Sequence, residues 1–306
     1  MDSILCIGEL LIDFIEDKSS EVKRFILNPG GAPANVSQVV GALGGKTFIL
    51  GSVGRDSFGD EIEKALIKNN VFTNYLVRVH TPTTISFVTI DDNGDRDFIF
   101  YRGADRDLNI SQFGRNELQK IGMVHFGSAT AFLDGELNNS YLSLLEISFK
   151  DNKFISFDPN FRSFFWGKNI EKFRKHIMPF IEKSDLVKLN EEELLIVTQN
   201  ESISESINFL SKEYDATFIL TLGKNGSIVF NKDYEMNIEA KKVKAVDTTG
   251  AGDAYIGSFL YKISQHENKK EILMDKDEIK NIAYFATNIA GEICKKYGAL
   301  TALNDL

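Results

Sequence analysis

The chain has 306 residues, 43% hydrophobic and 26% charged, with 35 basic against 44 acidic side chains for a formal net charge of -9. Such a composition describes an ordinary globular protein long enough to bury a full core, and it excludes a disordered chain. The acidic balance, without a long Lys/Arg cluster, argues against nucleic acid or an anionic membrane surface as the main partner.

Taken in chain order, the first apolar run, Ile4 to Gly8, reads as a buried strand ending in Gly8-Glu9, with Asp13 just beyond. Arg24 to Asn28 reads as another extended piece. Asn28-Pro29-Gly30-Gly31-Ala32-Pro33-Ala34-Asn35 follows, and Val36, Val39, Val40 and Leu43 then fall at i, i+3, i+4 and i+7, the stripe of an amphipathic helix. Gly30-Gly31 lets a ligand approach the main chain. Asn35, in the first turn, can both donate and accept, which suits the vicinal hydroxyls of a polyol; helix capping is its plainer role. Gly41-Ala42-Leu43-Gly44-Gly45-Lys46-Thr47 resembles a Walker A loop but has three residues between Gly41 and Gly45 where the motif needs four. A helix precedes these glycines and a strand follows, so Gly44-Gly45 reads as a helix stop.

Thr84 to Ile90 and Asp97 to Tyr101 are β-rich runs flanking Asp92-Asn93-Gly94-Asp95, where Asn-Gly supplies the positive-φ pair of a type I′ turn. This hairpin reads as an excursion from the main sheet that, with Arg24 to Asn28, covers a site. Thr47 to Gly51, Met123 to Gly127, Phe154 to Phe157, Leu186 to Leu189 and Phe218 to Leu222 are short apolar runs, and helix-period segments lie between most of them. Alternation of that kind predicts an α/β fold with a mostly parallel sheet covered on both faces. Several runs end alike, in Gly8-Glu9, Asp158-Pro159-Asn160, Asn190-Glu191 and Gly223. In open α/β sheets ligands bind beyond the carboxyl ends of the strands, so these residues mark the working edge.

The sharpest stretch is Asp247-Thr248-Thr249-Gly250-Ala251-Gly252-Asp253-Ala254, followed by Ile256, Phe259, Leu260 and Ile263 at helical spacing. It sets Gly250 to Asp253 on a helix N-terminus, where unpaired N–H groups and the helix dipole favour a phosphate. A bare cap would explain Asp253 but needs neither the two threonines nor Asp247. Cys6 and Cys294 read as buried free thiols, which excludes a disulfide framework and suggests a reducing compartment. His80, His125, His176 and His266 are scattered, giving zinc chemistry no foothold. No apolar stretch reaches bilayer-spanning length and the amino terminus has no basic leader, so the expected location is the cytoplasm.

Together these stretches resemble the ribokinase-like, or PfkB, family of carbohydrate kinases. Gly30-Gly31-Ala32-Pro33-Ala34-Asn35-Val36 through Leu43-Gly44-Gly45, continued by Gly51-x-Val53-Gly54-x-Asp56-x-Phe58-Gly59, is similar to the family's first signature, and Asp247 to Asp253 to its second. Tyr255 stands where phenylalanine is more usual. The resemblance implies one ribokinase-like α/β domain over 1–306, a three-layer sandwich with a discontinuous β lid formed by about 14–29 and 84–104. Within the family the chain most resembles fructokinases, through Cys6 to Phe14, Phe98-Ile99-Phe100-Tyr101-Arg102-Gly103-Ala104-Asp105, and Asp158 to Arg162 with Trp166.

That resemblance implies Asp253 as the general base, with Gly250, Ala251 and Gly252 as an anion hole for the transferred phosphoryl group. It implies Asp13, Gly31, Asn35, Arg102 and Arg162 around the sugar. ATP would meet Lys188, Thr221, Gly223, Gly226, Gly250, Gly252 and Asn288. Mg2+ would be organised, largely through water, by Asn190 and Glu193, and Asp247, Thr249 and Gly298 match a K+ site of relatives. A homodimer through the lid is a further implication. Two other activities are compatible with these motifs: 2-dehydro-3-deoxygluconate phosphorylation, which Arg102 and Arg162 would serve, and catalytically silent sugar binding.

Overall fold

Strands β1 (Ile4–Ile7), β2 (Leu11–Glu16), β3 (Phe25–Gly30), β4 (Thr47–Gly54), β5 (Val71–Val79), β6 (Thr84–Ile90), β7 (Arg96–Tyr101), β8 (Met123–Phe126), β9 (Phe154–Phe157), β10 (Leu186–Asn190), β11 (Thr217–Thr221), β12 (Ser227–Phe230) and β13 (Glu235–Ile238) form two sheets in the computed structural model. The structure describes every residue except 18, 20, 21, 91–95, 112, 297, 299–302 and 304–306. The larger sheet has nine strands in the order β13-β12-β11-β10-β9-β8-β1-β4-β5, and the smaller has four in the order β3-β2-β6-β7. From β11 through β5 every pairing in the large sheet is parallel; at the other edge the β11–β12 and β12–β13 pairings are antiparallel. The predicted α/β class and excursion are both present. The Asn93-Gly94 turn lies outside the described residues.

A parallel strand covered on both faces needs an apolar side chain at every position, and β1 has one. Leu5 and Ile7 enter one core with the helices Glu136–Lys150 and Ile170–Lys183, while Ile4 and Cys6 enter the other. That second core holds the helices Ala32–Ala42, Ala251–Ile263 and Lys276–Ile293. Ile256, Phe259, Leu260 and Ile263 are fully buried there, as their spacing predicts, each worth on the order of 1.5–3 kcal/mol. Both cysteines are buried, and burial pushes the Cys6 thiol up to about 12, which leaves it inert.

Three strands carry little signal in the sequence. Strand β5 is an edge strand with Thr73, Asn74 and Arg78 in it, and β12 and β13 are only four residues each. The helix Ala32–Ala42 does stop at Gly44-Gly45, whose N–H groups donate to the carbonyls of Gly41 and Val40. The next strand then starts at Thr47, so these glycines belong to a helix terminus and not to a phosphate loop.

The small sheet has two unlike faces, because side chains alternate along each strand. Asp13, Ser86 and Phe100 stand in register on the side toward the site. Phe14, Phe87, Leu27, Ile99 and Tyr101 belong to the opposite side, with Phe14 and Phe87 stacked at 5.0 Å. Strand β7 rests on the short helix Ser163–Trp166 through Phe98 on Phe164 (5.4 Å) and Phe100 on Phe165 (4.9 Å).

Candidate active site

The helix Ala251–Ile263 begins after Gly250, which caps it in the left-handed conformation, and so Asp253 occupies its first turn. Asp253 does not cap that helix. Its Oδ2 accepts a 2.8 Å hydrogen bond from Nδ2 of Asn35, 218 residues away and in the first turn of the helix Ala32–Ala42. Two helix N-termini thus converge, each bringing one polar side chain. Burial pushes the Asp253 carboxyl up to about 6; the Asn35 bond, Lys188 and Arg162 work against that rise, and Asp158 adds to it. A carboxylate so tuned is ionised near neutrality yet basic enough to take a proton.

Lys188 on β10 lies beside it. A side-chain carbon at Gly252 would come within 3.3 Å of the lysine Nζ, so the ammonium rests against the helix N-terminus and reinforces its positive end. Nζ donates to Oδ2 of Asp158 at 2.6 Å, both side chains being almost fully buried. Burial alone would lower the Lys188 pKa, but Asp158 and Glu193 more than compensate and hold it above its ordinary value. Asp158 is the site residue that motif reading leaves without a role. Its signal was its place at the end of a strand on the working edge.

Asn190 and Glu193 form a capping box at the start of the helix Glu191–Thr198: Asn190 Oδ1 accepts from the Glu193 N–H and Glu193 Oε2 from the Asn190 N–H, each at 2.8 Å. Glu193 Oε1 accepts a third bond from the Phe161 N–H at 2.8 Å. With both oxygens bound to main chain and only 1% exposure, Glu193 is no solvated acidic helix start. Burial and Asp158 raise its carboxyl above the usual range. Among the described residues no three His, Cys, Asp or Glu side chains are grouped as metal ligands.

On the opposite side, Asp13 of β2 accepts from the Ser86 hydroxyl across to β6. Burial raises its carboxyl, against Ser86 and Arg162. Arg162 is exposed, and its charge reaches both Asp13 and Asp253. Gly31 has φ 107°, and a Cβ there would meet the Glu9 carbonyl oxygen at 2.3 Å; only glycine lets the chain turn from β3 into the helix carrying Asn35. Arg102 stands apart from this group, bound to Asp105.

Beyond Gly252 opens a cavity of about 550 Å³. Thr221, Gly223, Gly226, Val243, Ala245, Tyr255, Thr287, Ala290 and Gly291 are among the residues that line it. Gly226 approaches Ile238 so closely that a Cβ would sit 2.0 Å from its carbonyl oxygen. Asn288 is exposed and outside this lining; Thr287 and Gly291, one position before it and three after, face in instead. Tyr255 fits where phenylalanine is usual because Ser227 lies 3.0 Å from its hydroxyl. At the cavity's edge Asp247 gathers the residues predicted with it: Oδ1 accepts from the Thr249 N–H (2.9 Å) and hydroxyl (2.7 Å), and Oδ2 from the Gly298 N–H (3.1 Å).

Comparison with known proteins spans the full length of the chain. Residues 1–306 match the family model described as pfkB family carbohydrate kinase. A probable fructokinase-2 of Arabidopsis thaliana is 32% identical over 308 residues, covering 98% of this chain and 92% of its own. Among solved structures, a fructokinase with bound ATP from Xylella fastidiosa superposes with a TM-score of 0.88 at 25% identity, over 98% of this chain and 94% of that one. A fructokinase double mutant from Vibrio cholerae O395, in a form with fructose, ADP and potassium ion bound, gives 0.84 at 25% identity, over 99% and 95%.

Proposed function

Since the chain belongs to the pfkB family of carbohydrate kinases, we propose that it transfers the γ-phosphoryl group of ATP to the 6-hydroxyl of D-fructose. The observation that carries this reading is the hydrogen-bonded Asn35–Asp253 pair at a helix N-terminus, with Lys188 alongside and the cavity beyond. Asp253 takes the proton of the 6-hydroxyl as that oxygen bonds to phosphorus, and the bond from phosphorus to the bridging oxygen of ADP breaks. The N–H groups of Gly250, Ala251 and Gly252 and the Lys188 ammonium meet the charge on the phosphoryl oxygens. Asp13, Gly31 and Asn35 orient the sugar, with Arg162 between sugar and phosphate, and Thr221, Gly223 and Gly226 border the nucleotide. Carboxylates outnumber cations here, with Asp13, Asp158, Glu193 and Asp253 set against Lys188 and Arg162. That acidic surplus suits a divalent cation arriving with the nucleotide. Mg2+, held through water by Asn190 and Glu193, would neutralise phosphate charge. The Asp247, Thr249 and Gly298 cluster is the place for K+, the ion named with the Vibrio enzyme.

An ATP-consumption screen against sugars, sugar acids and nucleosides tests the reading. D-Fructose is expected to give the highest kcat/KM. Preference for 2-dehydro-3-deoxygluconate would replace the assigned acceptor, and sugar binding without ATP turnover would make the protein a silent binder.

We place a homodimer on the outer face of the small sheet, which acts as a lid over the sugar. Leu27, Ile99 and Tyr101 are 36%, 47% and 58% exposed there beside the Phe14–Phe87 stack, an apolar patch that a second copy would cover. Light scattering should report a dimer for the wild type and a monomer for Ile99→Glu; a monomeric wild type refutes this placement.

A further inference from the structure

Arginine grips carboxylates well because its planar guanidinium offers parallel donors, and Arg102 starts from a position where it could serve a sugar acid. Asp13, Ser86 and Phe100 pair across β2, β6 and β7 on the site-facing side of the small sheet. Tyr101 pairs with Ile85, so Arg102, the next residue, comes opposite Thr84 on that same side. Two strand spacings separate it from β2, about 10 Å. An extended arginine and a bound monosaccharide span that gap.

The guanidinium is held elsewhere. Nε donates to Asp105 Oδ2 at 2.9 Å, Nη2 lies 2.8 Å from the same oxygen, and Nη1 donates to the Asp134 carbonyl at 2.7 Å. Asp105 is fixed in turn, its side chain fully buried, with Oδ1 accepting from the Thr84 hydroxyl at 2.5 Å and the Gly103 N–H at 3.2 Å. Thr84 Oγ1 also accepts from the N–H groups of Gly103 and Asp105, which closes the node. Drawing Arg102 toward a ligand would leave Asp105 buried without its counter-charge, a heavy penalty.

We propose that Asp105 is a specificity-determining residue: by holding Arg102 it removes a carboxylate grip from the acceptor site, which therefore selects an uncharged polyol over a sugar acid. This inference rests on the sugar-kinase reading above. Arg162, the other arginine near the acceptor, has its charge facing the Asp13 and Asp253 carboxylates.

Asp105→Asn keeps the shape of the node and removes the charge that holds Arg102. With Mg-ATP, the wild type is expected to favour fructose over 2-dehydro-3-deoxygluconate. In Asp105→Asn the ratio of the two kcat/KM values should move toward the sugar acid by on the order of tenfold to a hundredfold, the worth of one charge-assisted contact. Adding Arg102→Gln should abolish that gain, whereas a gain from general loosening of the small sheet would survive and overturn the inference. An unchanged ratio beside normal wild-type fructose turnover overturns the inference alone; a wild type without fructose turnover overturns the functional reading as well. Should Asp105→Asn not fold, inhibition of wild-type fructose phosphorylation by 2-dehydro-3-deoxygluconate decides. An inhibition constant at least about tenfold above the fructose KM supports the inference, and one closer to that KM overturns it.

Discussion

Asp253→Asn is expected to lower kcat by on the order of 10²–10⁴-fold, the usual worth of a positioned general base. The amide keeps the size of the carboxylate and can still accept from Asn35 Nδ2, so the two helix termini should stay together and ATP and fructose should still bind by calorimetry. The wild-type pH profile gives a second readout. Burial raises Asp253 to about 6, so kcat/KM should climb as pH rises through about 6, where the carboxylate forms, and that limb should vanish in the variant. Were Asp253 merely a helix residue, asparagine would serve about as well and both readouts would stay put. A variant keeping more than about a tenth of wild-type kcat removes Asp253 from the mechanism.

Asp158→Ala should destabilise the fold by about 3–5 kcal/mol, because it leaves the buried Lys188 ammonium without its partner. Urea unfolding followed by circular dichroism measures the loss. Replacing both members, Asp158→Leu with Lys188→Met, should recover most of it, since the penalty comes from an unpaired charge and not from the missing contact. An Asp158→Ala protein within about 1 kcal/mol of wild type would mean that solvent reaches the pair. The same substitution bears on catalysis with a definite sign: the Asp158 charge helps raise the Asp253 carboxyl, so its removal should move the acid limb of the pH profile to lower pH.

Much of the fold is legible because parallel strands buried on both faces are mostly apolar: β1 is so throughout, and β8, β9, β10 and β11 are short apolar runs interrupted by His125, Ser156, Lys188 and a few Thr or Asn residues. Edge strands escape such reading. Among the described residues β5 pairs on one side only, with β4, and its polar residues suit that edge position. The lining of the cavity was readable to within a position or so. Helical spacing puts the segment around Asn288 on the right helix, but each residue turns about 100° from the last, and Thr287 and Gly291 are the ones that face inward.

What the sequence by itself determined is whatever depends on neighbours along the chain: the glycines that permit the turn at Gly31, the stripe that buries Ile256 to Ile263, and the start of a helix at Gly250. Tertiary structure decided the pairings. Asn35 and Asp253 are 218 residues apart, Lys188 on β10 and Asp158 just past the end of β9 are 30 apart, and Glu193 bonds the main chain of Phe161. Arg102 shows the difference most directly. Its type and its place after β7 suit a ligand contact, yet Asp105, three residues on, turns back through a short 3-10 helix to meet it. Charged groups pair with whatever the fold brings within a few ångströms, and their titration depends on that burial and those partners, neither of which is set by position in the chain.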